Sequence, residues 1–160
     1  MPPIRVGLGY DSHRLGSGGP LRIGGVDVPG DVHAIGHSDA DVLLHAVTDS
    51  LLGPIGAPDI GRLFPDDDAA NRDRDSADFL AEAVRRMRVD RWSVVNLDAV
   101  ILAETPKMAP HIEAMRTRVS ALIDVDSNRV GLKAKTGEGV GSIGGGLAIA
   151  ARVVCLLARG

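Results

Sequence analysis

The chain has 160 residues, of which 44% are hydrophobic and only 2% aromatic, and it carries a formal charge of −3. That length predicts one domain, residues 1–160, with enough chain to bury a sizeable core. The acidic balance and the lack of stacking side chains exclude a nucleic-acid binder or a partner of anionic membranes, so an anionic ligand needs a metal, local lysines or backbone amides to hold it.

Met1-Pro2-Pro3 leads straight into a strand-like run, which predicts no signal or transit peptide. No apolar stretch is long enough to span a bilayer. The lone Cys155 sits in an aliphatic run and predicts a buried thiol in a reducing compartment. Together these features predict a cytoplasmic protein.

Ile4 to Leu8 alternates as an opening strand, and Gly9-Tyr10-Asp11-Ser12-His13 follows at its end. Asp11 and His13 flank one residue, so extended backbone points both to one face, where a carboxylate and an imidazole suit one divalent ion. Leu21-Arg22-Ile23 and Val26-Asp27-Val28 read as a hairpin about Gly24-Gly25. His33 falls in the loop beyond it, with no assigned role.

Ser38 and Asp39 are good helix starters, and Val42, Leu43, Ala46, Val47, Leu51 and Leu52 give one apolar side, stopped by Gly53-Pro54. Asp41, His45 and Asp49, four residues apart, form a polar stripe on this apolar helix. A solvated face explains such a stripe as well as a metal site does, but His45 beside Asp11 and His13 makes three N/O ligands, the set of an open zinc-like centre. His37, at the expected start of the helix, is placed to meet phosphate together with Ser38 and the backbone amides.

Residues 53–75 read as a long polar loop, the kind that is often functional, although its acidic triplet Asp66-Asp67-Asp68 reads equally well as a solvated turn. Ser76 to Arg88 has the pattern of an amphipathic helix capped by Asp75 or Ser76. Trp92 to Ala103 is a β-rich run, a helix extends from Met108 or Pro110 to Ile123, Val130 to Ala134 reads as a strand, and Leu147 to Leu157 reads as the last strand, although its period fits a helix as well. Gly139-Val140-Gly141-Ser142-Ile143-Gly144 matches G-x-G-x-x-G, but too little chain follows for a dinucleotide fold. Those glycines instead predict a mobile loop or a close approach of backbone to ligand.

Gly9 to His13, His37 to Asp41 with His45, Asp59 to Asp66, Thr105-Pro106-Lys107-Met108 and Lys133 to Glu138 stand in one order across nearly the whole chain. In these five blocks the sequence resembles the 2-C-methyl-D-erythritol 2,4-cyclodiphosphate synthase family. The resemblance implies an α+β subunit, a ferredoxin-like-type sheet with helices on one face, assembled as a homotrimer with active sites between neighbours. It implies a lyase of the non-mevalonate isoprenoid pathway that converts 4-diphosphocytidyl-2-C-methyl-D-erythritol 2-phosphate to the 2,4-cyclodiphosphate and CMP.

Carried over by position, Asp11, His13 and His45 imply zinc ligands, and Glu138 a ligand of Mg²⁺ or Mn²⁺ at the substrate diphosphate. His37 and Thr136 match positions that stabilise the transition state. Ser12 and Ser38 match substrate contacts, as do Lys135 and Gly137. Asp59, Ile60, Gly61, Phe64, Pro65, Asp66, Asp67 and Asp68 match the methylerythritol segment. Ala103, Glu104, Thr105, Pro106, Lys107, Met108 and Ala109 match the cytidine pocket. Ser142 and Gly145 stand where many members carry Phe and Arg, beside a trimer-axis cavity that holds isoprenoid-diphosphate-like ligands, and their small side chains imply weaker binding there.

Overall fold

The computed structural model describes residues 3–160; Met1 and Pro2, where the expected domain and N-terminus begin, lie outside the described residues. A five-stranded mixed sheet carries the fold. Its strands are β1 (Ile4–Ser17), β4 (Val32–Ile35), β5 (Trp92–Leu102), β6 (Val130–Lys135) and β7 (Ala148–Arg159), in the order β4-β1-β7-β5-β6. The short β2 (Leu21–Ile23) and β3 (Val26–Val28) form the expected hairpin as a separate two-stranded sheet.

Three long helices pack on one face: α1 (Val42–Leu52), α3 (Ser76–Val89) and α4 (Ile112–Ile123). Two single-turn helices, α2 (Ile60–Leu63) and α5 (Gly141–Gly144), interrupt what reads in sequence as continuous loop.

β1 is longer than its sequence suggests because β7 pairs with it antiparallel from Ile4↔Ala158 to Arg14↔Ala148, which holds Gly9 and its polar successors in extended form. Asp11 and His13 therefore lie inside the strand, not past its end. Beyond them Arg14↔Ile35 begins the pairing with β4, a strand the sequence hides in the loop around His33.

The order of the main elements, β1-α1-α3-β5-α4-β6-β7, is β-α-α-β-α-β-β. It differs from the β-α-β-β-α-β of the ferredoxin-like expectation. Helix α4 crosses between β5 and β6, so these strands pair parallel where a hairpin would pair antiparallel.

The core lies between the sheet and the helices. Leu43, Leu44, Leu51 and Leu52 of α1 are fully or almost fully covered, as are Leu80, Met87, Leu97, Ile101, Met115 and Leu157. Each such side chain contributes about 1.5–3 kcal/mol of burial. Cys155 is buried as expected, and burial raises its thiol pKa.

α1 lies directly on β1 because Gly7 and Gly9 have no side chains to hold it away. A Cβ at either position would fall 1.8 Å from a carbonyl oxygen of the helix backbone. This contact sets His45 above Asp11 and His13.

Among the described residues, no helix lies over the opposite sheet face. Ile4, Val6, Leu8 and Tyr10 of β1 and Val154 of β7 are 48–70% exposed there.

Candidate active site

Helix α1 begins later than Ser38 or Asp39, at Val42, with Asp41 as its cap. Several residues are good caps by type, and tertiary donors select this one. The Asp41 carboxylate accepts Leu44 N at 3.0 Å and also Gly24 N at 2.8 Å and Gly25 N at 2.6 Å from the hairpin turn. Burial raises the Asp41 pKa against the pull of those three N–H groups. Asp41 is thus structural, and His37, five residues before the helix, is not at its N-terminus. The first turn of α1 is buried and its Leu44 N–H is already taken by Asp41, so the expected phosphate contact at this helix start is not supported by its geometry.

Asp49, the last residue of the polar stripe, accepts Ile60 N at 2.8 Å and ties α2 to α1. That bond positions Asp59-Ile60-Gly61 at the rim of the site.

Asp11 Oδ2, His13 Nε2 and His45 Nδ1 converge. Asp11 stands 3.0 Å from His13 and 2.9 Å from His45, and the two imidazole nitrogens are 3.2 Å apart. A tetrahedral ion with bonds of about 2.0–2.1 Å has ligand-to-ligand edges of about 3.3 Å, so this triangle matches one face of such a site. The set of one carboxylate and two imidazoles fits zinc or a similar ion and leaves a position open for substrate. Burial raises the Asp11 pKa, but the hydrogen bonds and charges of His13 and His45 outweigh it and hold the carboxyl well below its ordinary range. Burial lowers that of His13, and Asp11 overrides it, so the net shift is upward.

The three ligands open into a cavity of about 380 Å³ that is also lined by His37, Ser38, Ile60, Gly61, Phe64, Asp66, Asn71 and Phe79. His37 Nε2 is buried there with no hydrogen-bond partner among the described residues, a polar atom left for a ligand. Phe64 and Phe79 stack at 4.5 Å, and the Arg74 guanidinium lies 5.4 and 5.2 Å from their rings, which closes one wall.

A second cavity of about 190 Å³ gathers Ala103, Glu104, Pro106, Lys107, Met108, Ala109, Ala134, Lys135 and Thr136 where β5 and β6 end. It shares no lining residue with the first. Glu104 Oε2 accepts Gly137 N at 2.9 Å, and Thr136 Oγ1 donates to Glu138 Oε1 at 3.1 Å. The expected site residues therefore fall into two groups within one chain. Thr136 lines the second cavity and Glu138 is hydrogen-bonded to it, apart from the lining of the cavity that holds Asp11, His13 and His45.

Others stand apart from both groups. Ser12 faces the opposite side of β1 from Asp11 and His13, in step with strand alternation. Asp68 caps the turn at Ala69–Asn71, and Asp67 is exposed beside it. Ser142 and Gly145 belong to α5 and its cap. There Gly137 and Gly144 pack so closely that a Cβ on Gly137 would meet Gly144 N at 2.4 Å, so these glycines serve a tight turn of backbone on itself.

Sequence reasoning missed Asn71, Ser76 and Phe79. Ser76 reads as a helix cap, yet it is fully buried against His45. Its only signal is position: 31 residues after His45, it meets that ring through the fold alone.

The YgbB family model matches residues 4–158. A 2-C-methyl-D-erythritol 2,4-cyclodiphosphate synthase from Rhodopirellula baltica is 64% identical over 156 residues, which cover 98% of this chain and 94% of that one. A solved 2C-methyl-D-erythritol-2,4-cyclodiphosphate synthase in a CDP-bound form is 40% identical with a TM-score of 0.88, covering 96% of this chain and 99% of that one. The bifunctional IspDF from Campylobacter jejuni, 32% identical with a TM-score of 0.95, is matched over all of this chain, which spans 43% of that longer protein. By sequence and by fold, the chain belongs to the YgbB family.

Proposed function

We propose that Asp11, His13 and His45 are the metal-holding half of a site that closes a cyclic diphosphate. The chain is a 2-C-methyl-D-erythritol 2,4-cyclodiphosphate synthase, a phosphorus–oxygen lyase of the non-mevalonate isoprenoid pathway. It converts 4-diphosphocytidyl-2-C-methyl-D-erythritol 2-phosphate to the 2,4-cyclodiphosphate and CMP. An oxygen of the 2-phosphate bonds to the β-phosphorus while the bond from that phosphorus to the bridging oxygen breaks. CMP leaves with the bridging oxygen and its electron pair.

The observation that carries the reading is the three-ligand cluster in a cavity that also holds the unpartnered Nε2 of His37. Phosphoryl transfer of this kind asks the protein mainly for positioning and charge neutralisation. When bound, Zn²⁺ at Asp11, His13 and His45, with Mg²⁺ or Mn²⁺ at Glu138, supplies Lewis-acid charge and a template for the diphosphate. His37 and Thr136 donate hydrogen bonds to the reacting phosphates, and Ser38 holds the substrate beside them. The 59–68 segment encloses the methylerythritol portion, while backbone groups of 103–109 read the cytosine edge.

The working enzyme is a cytoplasmic homotrimer. Two features support it: the uncovered apolar sheet face, and the separation of the metal-type cavity from the cytidine-type pocket within one chain. Three copies packed by that face bring one chain's metal cluster to its neighbour's cytidine pocket. Ser12, on the uncovered face, then reaches substrate across the interface.

A ³¹P NMR time course with the cytidylyl substrate, before and after chelation, tests the reaction. A cyclic diphosphate appearing with CMP, lost on chelation and restored by Zn²⁺ and Mg²⁺, is the expected result. Linear phosphates would make the protein a hydrolase and overturn the reading.

A further inference from the structure

We propose that Ser76, backed by the Asp39 carboxylate, is the positioning residue that fixes the ring orientation and tautomer of His45 for metal binding. The proposal rests on Asp11, His13 and His45 being the metal ligands and assigns a role to residues outside that set. Ser76 is fully buried at the start of α3, and its Oγ lies 2.8 Å from His45 Nε2. On its other side Ser76 Oγ makes a very short hydrogen bond to Asp39 Oδ1, while Ser76 N donates to Asp39 Oδ2 at 3.1 Å.

The direction of this chain follows from what each group can donate. An ionised carboxylate only accepts, so the proton between Asp39 and Ser76 is the serine's own. The serine then offers His45 a lone pair, and Nε2 must carry the hydrogen. In the neutral ring that leaves Nδ1 bare, and Nδ1 is the nitrogen facing Asp11 at 2.9 Å. Orientation of a ligating imidazole through its far nitrogen is a general feature of metal sites, and loss of such a partner costs about 10–100-fold in metal affinity.

Asp39 is itself held in place. Its N–H donates to Arg74 O at 3.1 Å, and its Oδ1 accepts Asp41 N at 3.2 Å, so the segments before α1 and before α3 are locked together. Ser38 Oγ also approaches His45 Nε2, but at 3.2 Å, and it lines the open cavity. With Ser76 as the resident partner, Ser38 is free to turn to substrate without releasing the ring.

The test measures zinc affinity by competition with a chromophoric chelator, using wild type, Ser76→Ala, Ser76→Thr, Asp39→Asn and Ser38→Ala. Thermal melts in excess chelator separate loss of metal binding from loss of fold. Ser76→Ala is expected to weaken Zn²⁺ binding about 10–100-fold, Asp39→Asn less, and Ser76→Thr and Ser38→Ala by no more than about threefold. In the zinc-loaded protein, the His45 Nε2–H proton should give an exchange-protected NMR resonance that persists in Ser38→Ala and disappears in Ser76→Ala. Wild-type affinity and an unchanged resonance in Ser76→Ala would overturn the proposal, as would an equal loss in Ser38→Ala. Failure of the wild type to bind Zn²⁺ would overturn the metal site itself, a result distinguishable from either of these.

Discussion

Gly9→Ala removes no ligand and no hydrogen bond, yet it is expected to disable the metal site. The new Cβ would stand 1.8 Å from Ala46 O, 2.8 Å from Ala46 C and 3.0 Å from Ser50 N, all backbone atoms of α1. Rotamer change cannot relieve such contacts, so α1 must retreat by about 1.6 Å to reach ordinary van der Waals distance at 3.4 Å. His45 neighbours Ala46 and moves with it, away from Asp11 and His13. Overpacking of this kind costs about 1–3 kcal/mol, and a clash with helix backbone belongs at the upper end. At about 2–4 °C per kcal/mol for a chain of this size, the melting midpoint falls by about 6–12 °C. Displacing a direct ligand costs at least as much zinc affinity as losing the hydrogen-bond partner of one, which is about 10–100-fold. Thermal denaturation followed by circular dichroism measures the first effect, and chelator competition on the folded variant measures the second. A Gly9→Ala protein that melts and binds zinc like the wild type would refute the claim that backbone contact between β1 and α1 sets the site.

Three further outcomes follow from the same geometry. Asp41→Ala should cost about 3 kcal/mol or more in denaturant unfolding, because a helix cap is lost and the buried Gly24 N–H is orphaned; Asp41→Asn should cost less. Glu82 bridges Arg85 and Arg86, whose hydrogen bonds lower its pKa from 4.5 to about 2. Its contribution, about 0.3–0.5 kcal/mol per pair, is therefore present above pH 4.5 and lost as pH falls through 2, so wild type and Glu82→Gln should converge in stability at the acid end. Geranyl diphosphate should bind weakly in calorimetric titration, because Ser142 and Gly145 offer neither an aromatic face nor a guanidinium; tight binding would refute this.

Elements that bury one continuous apolar face were legible in sequence. Helix α3 and strands β5, β6 and β7 fall within two residues of their expected ends, and the hairpin about Gly24-Gly25 is where turn chemistry puts it. Where several residues compete locally, sequence could not decide. Ser38, Asp39 and Asp41 are all good caps, and only the hairpin N–H groups single out Asp41. The strand order was hidden for a related reason, since pairing partners lie far apart in the chain and periodicity names none of them. Asp11 and His13 were readable from alternation and His45 from helical spacing. The Asp39–Ser76–His45 chain was not, because its members meet only when α3 docks on α1.

In the proposed homotrimer, each chain carries two half-sites that work only across copies. Mixing His45→Ala chains with Thr136→Ala chains, each inactive alone, tests it most directly. In a mixed trimer some interfaces pair an intact metal cluster with an intact cytidine pocket. Cyclic diphosphate synthesis should therefore return on co-refolding, in a species that sediments at three times the chain mass. No recovery from a mixture shown to contain mixed trimers would contradict the claim and place the whole site within one chain.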